Sequence, residues 1–282
     1  MKRGIRMLAA ALALAAVLSG CGAFAAKAEK PVKLSVAVYQ LRSDYAVRQA
    51  QIEITNHGAV DLQVTSATFS SSWFADTVAS PSAPSQLLAN STTDFKVALA
   101  APRCDASKAA ASVTVRFTRA DRTTGTVTMT PTIPFDSLAV VHANDCARHD
   151  FEKVAAISIA PAVRFEPADG KPVALLDVTF TPTGAAGSAT LHSTEDTTLL
   201  AQREGTFRSF ELTLTAASAP TTITLDYVPA GCLQHRVAED KIGTLIPLRV
   251  DAGAYRNALF SVPVSAAVKA QLLDWVGVYC GW

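Results

Sequence analysis

The chain has 282 residues, with 25 basic and 24 acidic side chains and a formal net charge of +1. This length suits two domains of ordinary size. The near-neutral charge gives no electrostatic reason to expect a nucleic-acid partner, because binding to phosphates requires clustered Lys and Arg side chains.

The N-terminus has the pattern of an export signal. Lys2, Arg3 and Arg6 precede the run Met7–Gly20, in which all residues are apolar or small. The run is shorter than the roughly 20 residues that a membrane-spanning helix needs. A basic head followed by a short apolar segment therefore predicts a signal peptide over residues 1–20. No later stretch of the sequence is apolar and long enough to predict a transmembrane helix.

The end of this segment, Leu18-Ser19-Gly20-Cys21, resembles the lipobox of bacterial lipoproteins. The resemblance implies cleavage before Cys21, a diacylglycerol thioether on its sulfur, and attachment to the extracytoplasmic face of the cell membrane through the lipid. The alternative is an ordinary signal peptide that leaves Cys21 as a free thiol. Removal of residues 1–20 leaves 22 basic and 24 acidic side chains, a net charge of −2, and residues 21–31 are predicted to form a flexible tether.

The rest of the chain alternates apolar and polar residues with the period of β-strands. Turn residues, such as Asn56-His57-Gly58 and Asp169-Gly170, separate the short runs. This pattern indicates antiparallel β-sandwiches. The clearest alternating runs are 52–55, 60–64, 113–118, 178–180, 210–214 and 223–227.

An internal repeat predicts how the cysteines pair. After Cys21, four cysteines remain, and four cysteines allow three pairings. Three landmarks recur in the same order: IEITNHG and VTFTPTG, APRC and PAGC, SLAVVHANDC and QLLDWVGVYC. Two copies of one unit, each enclosing its own bridge, predict the disulfides Cys104–Cys146 and Cys232–Cys280.

The stretch that begins at Ile52, I-x-I-x-N-x-G followed by L-x-V, resembles the immunoglobulin-like sandwiches of bacterial envelope proteins. The second copy departs from this pattern, with Pro182 where the first has Asn56. We therefore predict an all-β protein with two tandem antiparallel immunoglobulin-like β-sandwiches, each with one internal disulfide and a short helical piece. The predicted domains cover residues 32–150 and 151–282. A helix is predicted over residues 266–276, and its counterpart over residues 136–141 is too short to assign.

The stretch VVHANDCARHDFE contains the candidate metal ligands His142, His149 and Asp150. Their spacing around Cys146 is compatible with zinc. However, the repeat assigns this cysteine to a disulfide, and the second copy has no histidine at the equivalent stretch. The favoured interpretation is that both histidines are solvated side chains around a structural disulfide, with no metal and no cofactor.

The pair Trp73 and Phe74 follows three serines in a predicted loop, where an exposed aromatic pair would contact a glycan or a protein. Core packing is the alternative for both residues. The sequence lacks a G-x-S-x-G elbow, H-E-x-x-H, S-x-x-K, a P-loop and an EF-hand loop, and we predict that it is not an enzyme.

The predicted function is a membrane-tethered, non-catalytic lipoprotein that presents immunoglobulin-like surfaces to an envelope protein or glycan. A solute- or metal-binding lipoprotein is the alternative, and an exported hydrolase is a more remote one.

Overall fold

The structure is a computed structural model that describes residues 31–106 and 110–282. The predicted signal peptide, most of the predicted tether and Cys21 lie outside the described residues. Residues Lys33–Trp282 form a compact unit. Among the described residues, none of the helices combines the length and hydropathy needed to cross a membrane.

The first half of this unit forms two antiparallel sheets. One sheet has the strand order β1-β2-β6, and the other has the order β4-β3-β7-β8 with β5 paired to β3. The strands are β1 (Leu34–Tyr39), β2 (Gln49–Asn56), β3 (Leu62–Ser71), β4 (Val78–Ala79), β5 (Ser85–Leu87), β6 (Ser91–Ala98), β7 (Ala111–Arg119) and β8 (Thr124–Met129). The helices are α1 (Arg42–Tyr45), a 3-10 turn (Pro134–Asp136) and α2 (Ser137–Val154).

The second half forms two further antiparallel sheets. Their strand orders are β10-β11-β15-β13, with β9 paired to β11, and β14-β12-β16-β17. The strands are β9 (Ala155–Ile159), β10 (Arg164–Ala168), β11 (Lys171–Pro182), β12 (Ser188–Glu195), β13 (Leu200–Gln202), β14 (Phe207–Thr215), β15 (Thr221–Pro229), β16 (Leu245–Ala252) and β17 (Tyr255–Pro263). The helices are α3 (Gln234–Ala238) and α4 (Ala266–Cys280).

The two halves share the arrangement of their central strands. In the first, β2 pairs with β6 in one sheet, while β3, β7 and β8 are neighbours in the other. In the second half, β11 pairs with β15, and β12, β16 and β17 are neighbours in the same way. Each half then ends in a helix, α2 or α4. The predicted fold class, two tandem antiparallel immunoglobulin-like β-sandwiches, is confirmed.

Alternating residues build the sandwich cores, as the period of two predicts. Ile52 and Ile54 are fully buried on β2, and Val113, Val115 and Phe117 are buried on β7. The turn between β10 and β11 uses Asp169 (φ 54°) and Gly170 (φ 79°), both in the left-handed region that a two-residue hairpin turn requires.

One disulfide closes each half. Cys104 is bonded to Cys146 on α2, and Cys232 is bonded to Cys280 on α4. In both halves the bond joins the loop before an inner strand to the terminal helix, as the repeat predicts. The sequence separations of 42 and 48 residues correspond to a stabilisation of roughly 4 kcal/mol each in the chain-entropy model.

Helix α2 is much longer than the sequence pattern indicates, and it continues past residue 150, where the first predicted domain ends. Its first turns contact the first half through Cys146 and through Asp145, which binds Arg48. Its last turns place Ala147, Phe151 and Val154 in the hydrophobic core of the second half. A single helix therefore contributes to the packing of both sandwiches.

Helix α4 covers the predicted residues 266–276 and continues to Cys280. Ser265 caps its start by accepting a hydrogen bond from the backbone N–H of Val268. Gly281, in the left-handed conformation with φ 77°, ends it. Ser265 and Gly281 thus mark the two ends of an apolar helix. Its residues Val268, Leu272 and Val276 lie in the hydrophobic core.

Candidate functional site

His142 is buried, with 7% of its surface exposed, so the prediction that it is a solvated side chain is wrong. Its ring stacks on the Trp73 ring, with centroids 4.9 Å apart and planes 7° from parallel. Its Nε2–H donates to the carbonyl oxygen of Arg103 at 3.0 Å. The buried Nε2–H therefore has a hydrogen-bond acceptor, and the ring packs against Trp73. We conclude that His142 has a structural role in packing.

The other two candidate ligands do not converge with His142. His149 is exposed, and Asp150 accepts a hydrogen bond from Lys153 Nζ at 3.0 Å. Seven residues of helix place His149 about 10 Å from His142 along the axis of α2. Within residues 31–106 and 110–282, no three His, Cys, Asp or Glu side chains are placed to hold a metal ion. His149 Nδ1 lies 3.4 Å from Asp150 Oδ1, but His142 is bound elsewhere, so the three predicted metal ligands do not form one site.

Asp150 has a packing role that its sequence position does not reveal. It lies against Gly253 in the turn between β16 and β17, where an added Cβ would be 2.1 Å from its Oδ2. Gly253 also has a positive φ of 54°. The close approach of this carboxylate to the turn therefore requires glycine there.

The fold places Trp73 and Phe74, the predicted exposed pair, in different environments. Phe74 is 2% exposed, so the prediction that it contacts a ligand is wrong; its ring packs 6.4 Å from that of Phe69. The backbone N–H of Trp73 donates to Ser71 Oγ at the end of β3, where the chain bends. Trp73 is half-buried because His142 covers one of its faces.

The strongest candidate for a binding surface is an open groove of about 760 Å³ along α2. We call it the α2 groove. Apolar and aromatic residues from three parts of the fold line it. They include Tyr39 and Tyr45 of the first half, Phe135 in the 3-10 turn and Val140 on α2, and Leu259 and Pro263 on β17. A volume of this size lies within the range of about 300–1,000 Å³ that is usual for ligand sites.

Phe135 is the most exposed large apolar residue of the groove. Its side chain is 99% exposed, compared with 54% for Val140 and 47% for Tyr45. Its backbone lies in the left-handed region, with φ 56° and ψ 27°, and Asp136 follows with φ 49°. Non-glycine residues in this region carry a cost on the order of 1–3 kcal/mol. The fold therefore holds a bulky aromatic side chain in solvent at a position where glycine would be favoured locally.

The cations that line the α2 groove are already neutralised. Arg48 donates through Nε and Nη2 to Asp145, at 3.2 and 2.6 Å, and through Nη1 to the carbonyl oxygen of Leu99. Arg148 donates to Glu152 at 2.7 Å. Neither guanidinium is a free anion-binding group.

Two carboxylates at the edge of the groove are not neutralised. Glu53 on β2 and Asp94 on β6 are directly opposite in the strand register. In the described part of the chain, neither has a cationic partner within ion-pair distance, although Tyr39 Oη donates to Asp94 at 3.1 Å. Burial and then the nearby Asp94 raise the pKa of Tyr39 to about 12, which keeps its hydroxyl protonated. Glu53 and Asp94 are therefore an excess of negative charge beside an apolar groove.

A second polar cluster lies on the outer face of the sheet β14-β12-β16-β17. His192 Nδ1 is 2.8 Å from Glu211 Oε2, and its Nε2 is 3.0 Å from Asp251 Oδ1. The hydrogen bond to Glu211, followed by the bond to Asp251, raises the pKa of His192. Since both ring nitrogens are occupied by carboxylates, neither is available to act on a substrate.

This cluster makes stability depend on pH. Because folding raises the pKa of His192, the protonated imidazole contributes to the free energy of unfolding. This contribution is complete below the unfolded-state pKa of about 6.5, and it is lost as pH rises through the folded-state pKa. We expect the variant His192→Gln to lose more stability relative to wild type at about pH 5.5 than at about pH 8.5. The difference should be of the order of 1 kcal/mol or less for such a surface cluster.

Urea unfolding of both proteins at the two pH values measures this difference. The control is His235→Gln, which changes an exposed histidine on α3. Equal losses for His192→Gln at both pH values would show that the two carboxylates do not hold the protonated imidazole.

Comparisons with known proteins leave the family open. No family model and no curated protein matches the chain. Among solved structures, the YadV chaperone is 12% identical, with a TM-score of 0.22, over 83% of this chain and 100% of that one. Red sea bream transglutaminase is 11% identical, with a TM-score of 0.22, over 84% of this chain and 32% of that one. The CsuC–CsuE chaperone–adhesion subunit complex of Acinetobacter baumannii is 8% identical, with a TM-score of 0.19, over 77% of this chain and 92% of that one. Matches with such low scores carry no argument about activity or partners.

Proposed function

We propose that this protein is a membrane-tethered, non-catalytic lipoprotein of the cell envelope that uses the α2 groove to bind a protein or another envelope ligand. The lipobox-like sequence that ends at Cys21 supports the tether. The two immunoglobulin-like sandwiches support a binding role, because such sandwiches are common in cell-surface domains. The α2 groove supplies the surface on which binding would occur.

The observation that carries this proposal is the full exposure of Phe135 at the rim of the groove. Covering a phenylalanine side chain contributes about 1.5–3 kcal/mol. Large aromatic side chains at the centre of an interface commonly account for much of the binding energy. A partner that covers Phe135, Tyr45 and Val140 together would gain binding free energy from each of these side chains.

The arrangement of histidines supports a non-catalytic role. Among the described residues, one serine hydroxyl lies within hydrogen-bond distance of a histidine ring: Ser35 Oγ is 2.8 Å from His57 Nε2. Both residues are exposed, and in the part of the chain that the structure describes no carboxylate pairs with His57. A hydrolase would need such a group to orient the imidazole, together with donors for the oxyanion.

A photo-crosslinking residue at position 135 tests the proposal in living cells. We expect irradiation to give a protein adduct from position 135, because the partner would cover this side chain. The matched control places the same residue at Val278 on α4, which is 71% exposed and outside the groove. Absence of an adduct at 135, or equal adducts at both positions, would contradict the proposal.

A solute-binding lipoprotein is the second candidate, and the volume of the groove favours it. The same experiment separates the two functions. A protein partner adds the mass of a polypeptide to the crosslinked product. A small adduct at position 135, again absent from position 278, would favour a solute.

A further inference from the structure

We propose that the α2 groove binds a peptide segment that combines a large apolar side chain with a Lys or Arg side chain. This inference rests on the proposed function and specifies the chemistry of its partner. It follows from two neighbouring features of the groove, one apolar and one acidic.

The apolar feature favours a large side chain. Phe135, Val140 and Tyr45 are each about half exposed or more, and Leu259 and Pro263 on β17 line the same groove. Water in contact with these side chains is released when another apolar group replaces it, which stabilises the complex by about 25 cal/mol per Å² covered. Polar ligands would gain little from this surface.

The acidic feature favours a cation. Like charges that stand directly opposite in an antiparallel pair destabilise the sheet, and Glu53 and Asp94 are such a pair. A Lys or Arg side chain bound between them would remove this repulsion. Glu53 and Tyr39 both line the groove, and Tyr39 donates to Asp94, so the acidic pair lies beside the apolar surface.

The charges of the groove also argue against competing occupants. Among the described residues, the arginines that line it are Arg48 and Arg148, and both are bound to carboxylates of this protein. An anionic lipid surface would face Glu53 and Asp94, neither of which has an ion-pair partner among the described residues, and these carboxylates would disfavour its binding. A basic peptide gains from the same carboxylates.

Selection from a library of random linear peptides tests the inference. The probe is a phage-displayed library of about twelve-residue peptides, selected on the immobilised full chain in mild detergent, and the enriched peptides are then synthesised for affinity measurements. We expect enriched peptides to carry a net positive charge and at least one large apolar residue. Phe135→Ser should weaken their binding at least about tenfold, equivalent to about 1.4 kcal/mol.

A second variant addresses the acidic pair. In Glu53→Gln with Asp94→Asn, we expect binding to weaken about three- to tenfold and to lose most of its dependence on salt, because screening acts only on the charged form. The control is Phe207→Ser, which removes a 60% exposed phenylalanine from outside the groove and should leave affinity unchanged. Unfolding midpoints of all variants establish that each is folded.

Several outcomes would overturn the inference. They are enrichment of acidic or uncharged peptides, no enrichment at all, or unchanged affinity in the Glu53 and Asp94 variant. Self-association lost in Phe135→Ser, measured by sedimentation, would assign the groove to a second copy of the chain. Binding of the Cys21→Ala chain to phosphatidylethanolamine–phosphatidylglycerol vesicles that requires Phe135 would assign it to the bilayer.

The failure of this inference is distinguishable from the failure of the proposed function. A crosslinked protein at position 135 together with acidic selected peptides would leave the function standing and refute the peptide chemistry. No adduct at position 135 would refute the function itself, whatever peptides are selected.

Discussion

Phe151→Ala is expected to lower the free energy of unfolding by about 3–5 kcal/mol, the range for removal of a fully buried phenylalanine side chain. Phe151 has no exposed surface. Its ring meets those of Phe180 and Phe260 edge-on, each with a centroid distance of 5.9 Å. The variant would lose both contacts and leave a cavity in the core of the second half.

The position of Phe151 on α2 makes this substitution informative about the whole molecule. The same helix is bonded to the first half at Cys146 and through the ion pair of Asp145 with Arg48. Loosening the last turns of α2 should therefore shift one cooperative transition, measured by urea unfolding. Val140→Ala, on the exposed side of the helix, is the control and should change stability by less than about 0.5 kcal/mol. A loss of less than about 1 kcal/mol in Phe151→Ala would contradict the account of the core.

Much of the fold could be predicted because β-sandwiches display their burial directly in the sequence. Residues such as Ile52 and Ile54 alternate with polar neighbours, since successive side chains of a strand point to opposite faces. The disulfide pairing followed from the repeat, because APRC and PAGC occupy equivalent loops and the two later cysteines occupy equivalent helices. Both signals can be read from the sequence itself, so they do not depend on knowing how distant parts of the chain pack.

The length of α2 could not be predicted for a specific reason. Its buried side includes His142 and Cys146 between Leu138 and Phe151. A polar ring and a cysteine interrupt the apolar spacing by which a helix is recognised. His142 can be buried only because Trp73 and the carbonyl of Arg103 surround it, and these partners are distant in sequence.

The candidate binding surface was missed for a related reason. Nothing in the local sequence distinguishes exposed Phe135 from buried Phe74. The exposure of Phe135 depends on the turn that holds its backbone in the left-handed region. Among the described residues, none covers its side chain at that turn. The sequence offered only an indirect signal, a phenylalanine between Pro134 and a helix start.

Cys21→Ala is expected to have the largest effect on location. If the lipid on Cys21 is the anchor, its removal should shift the protein completely out of the membrane fraction or leave an unprocessed precursor. A lipid anchor contributes about 0.8 kcal/mol for each buried methylene, so its loss is not compensated by surface contacts. Cell fractionation measures the shift, and Phe24→Ala, beside the lipobox but not within it, is the control. Membrane attachment of a Cys21→Ala chain from which residues 1–20 have been removed would contradict the proposed tether.

The central claim, a binding module tethered to the envelope by lipid, is tested most directly by the mass of the N-terminal peptide of protein extracted from membranes. The account predicts a peptide that begins at Cys21 and carries the added mass of a diacylglycerol group on that residue. A peptide that begins elsewhere, or one with an unmodified Cys21, would contradict it.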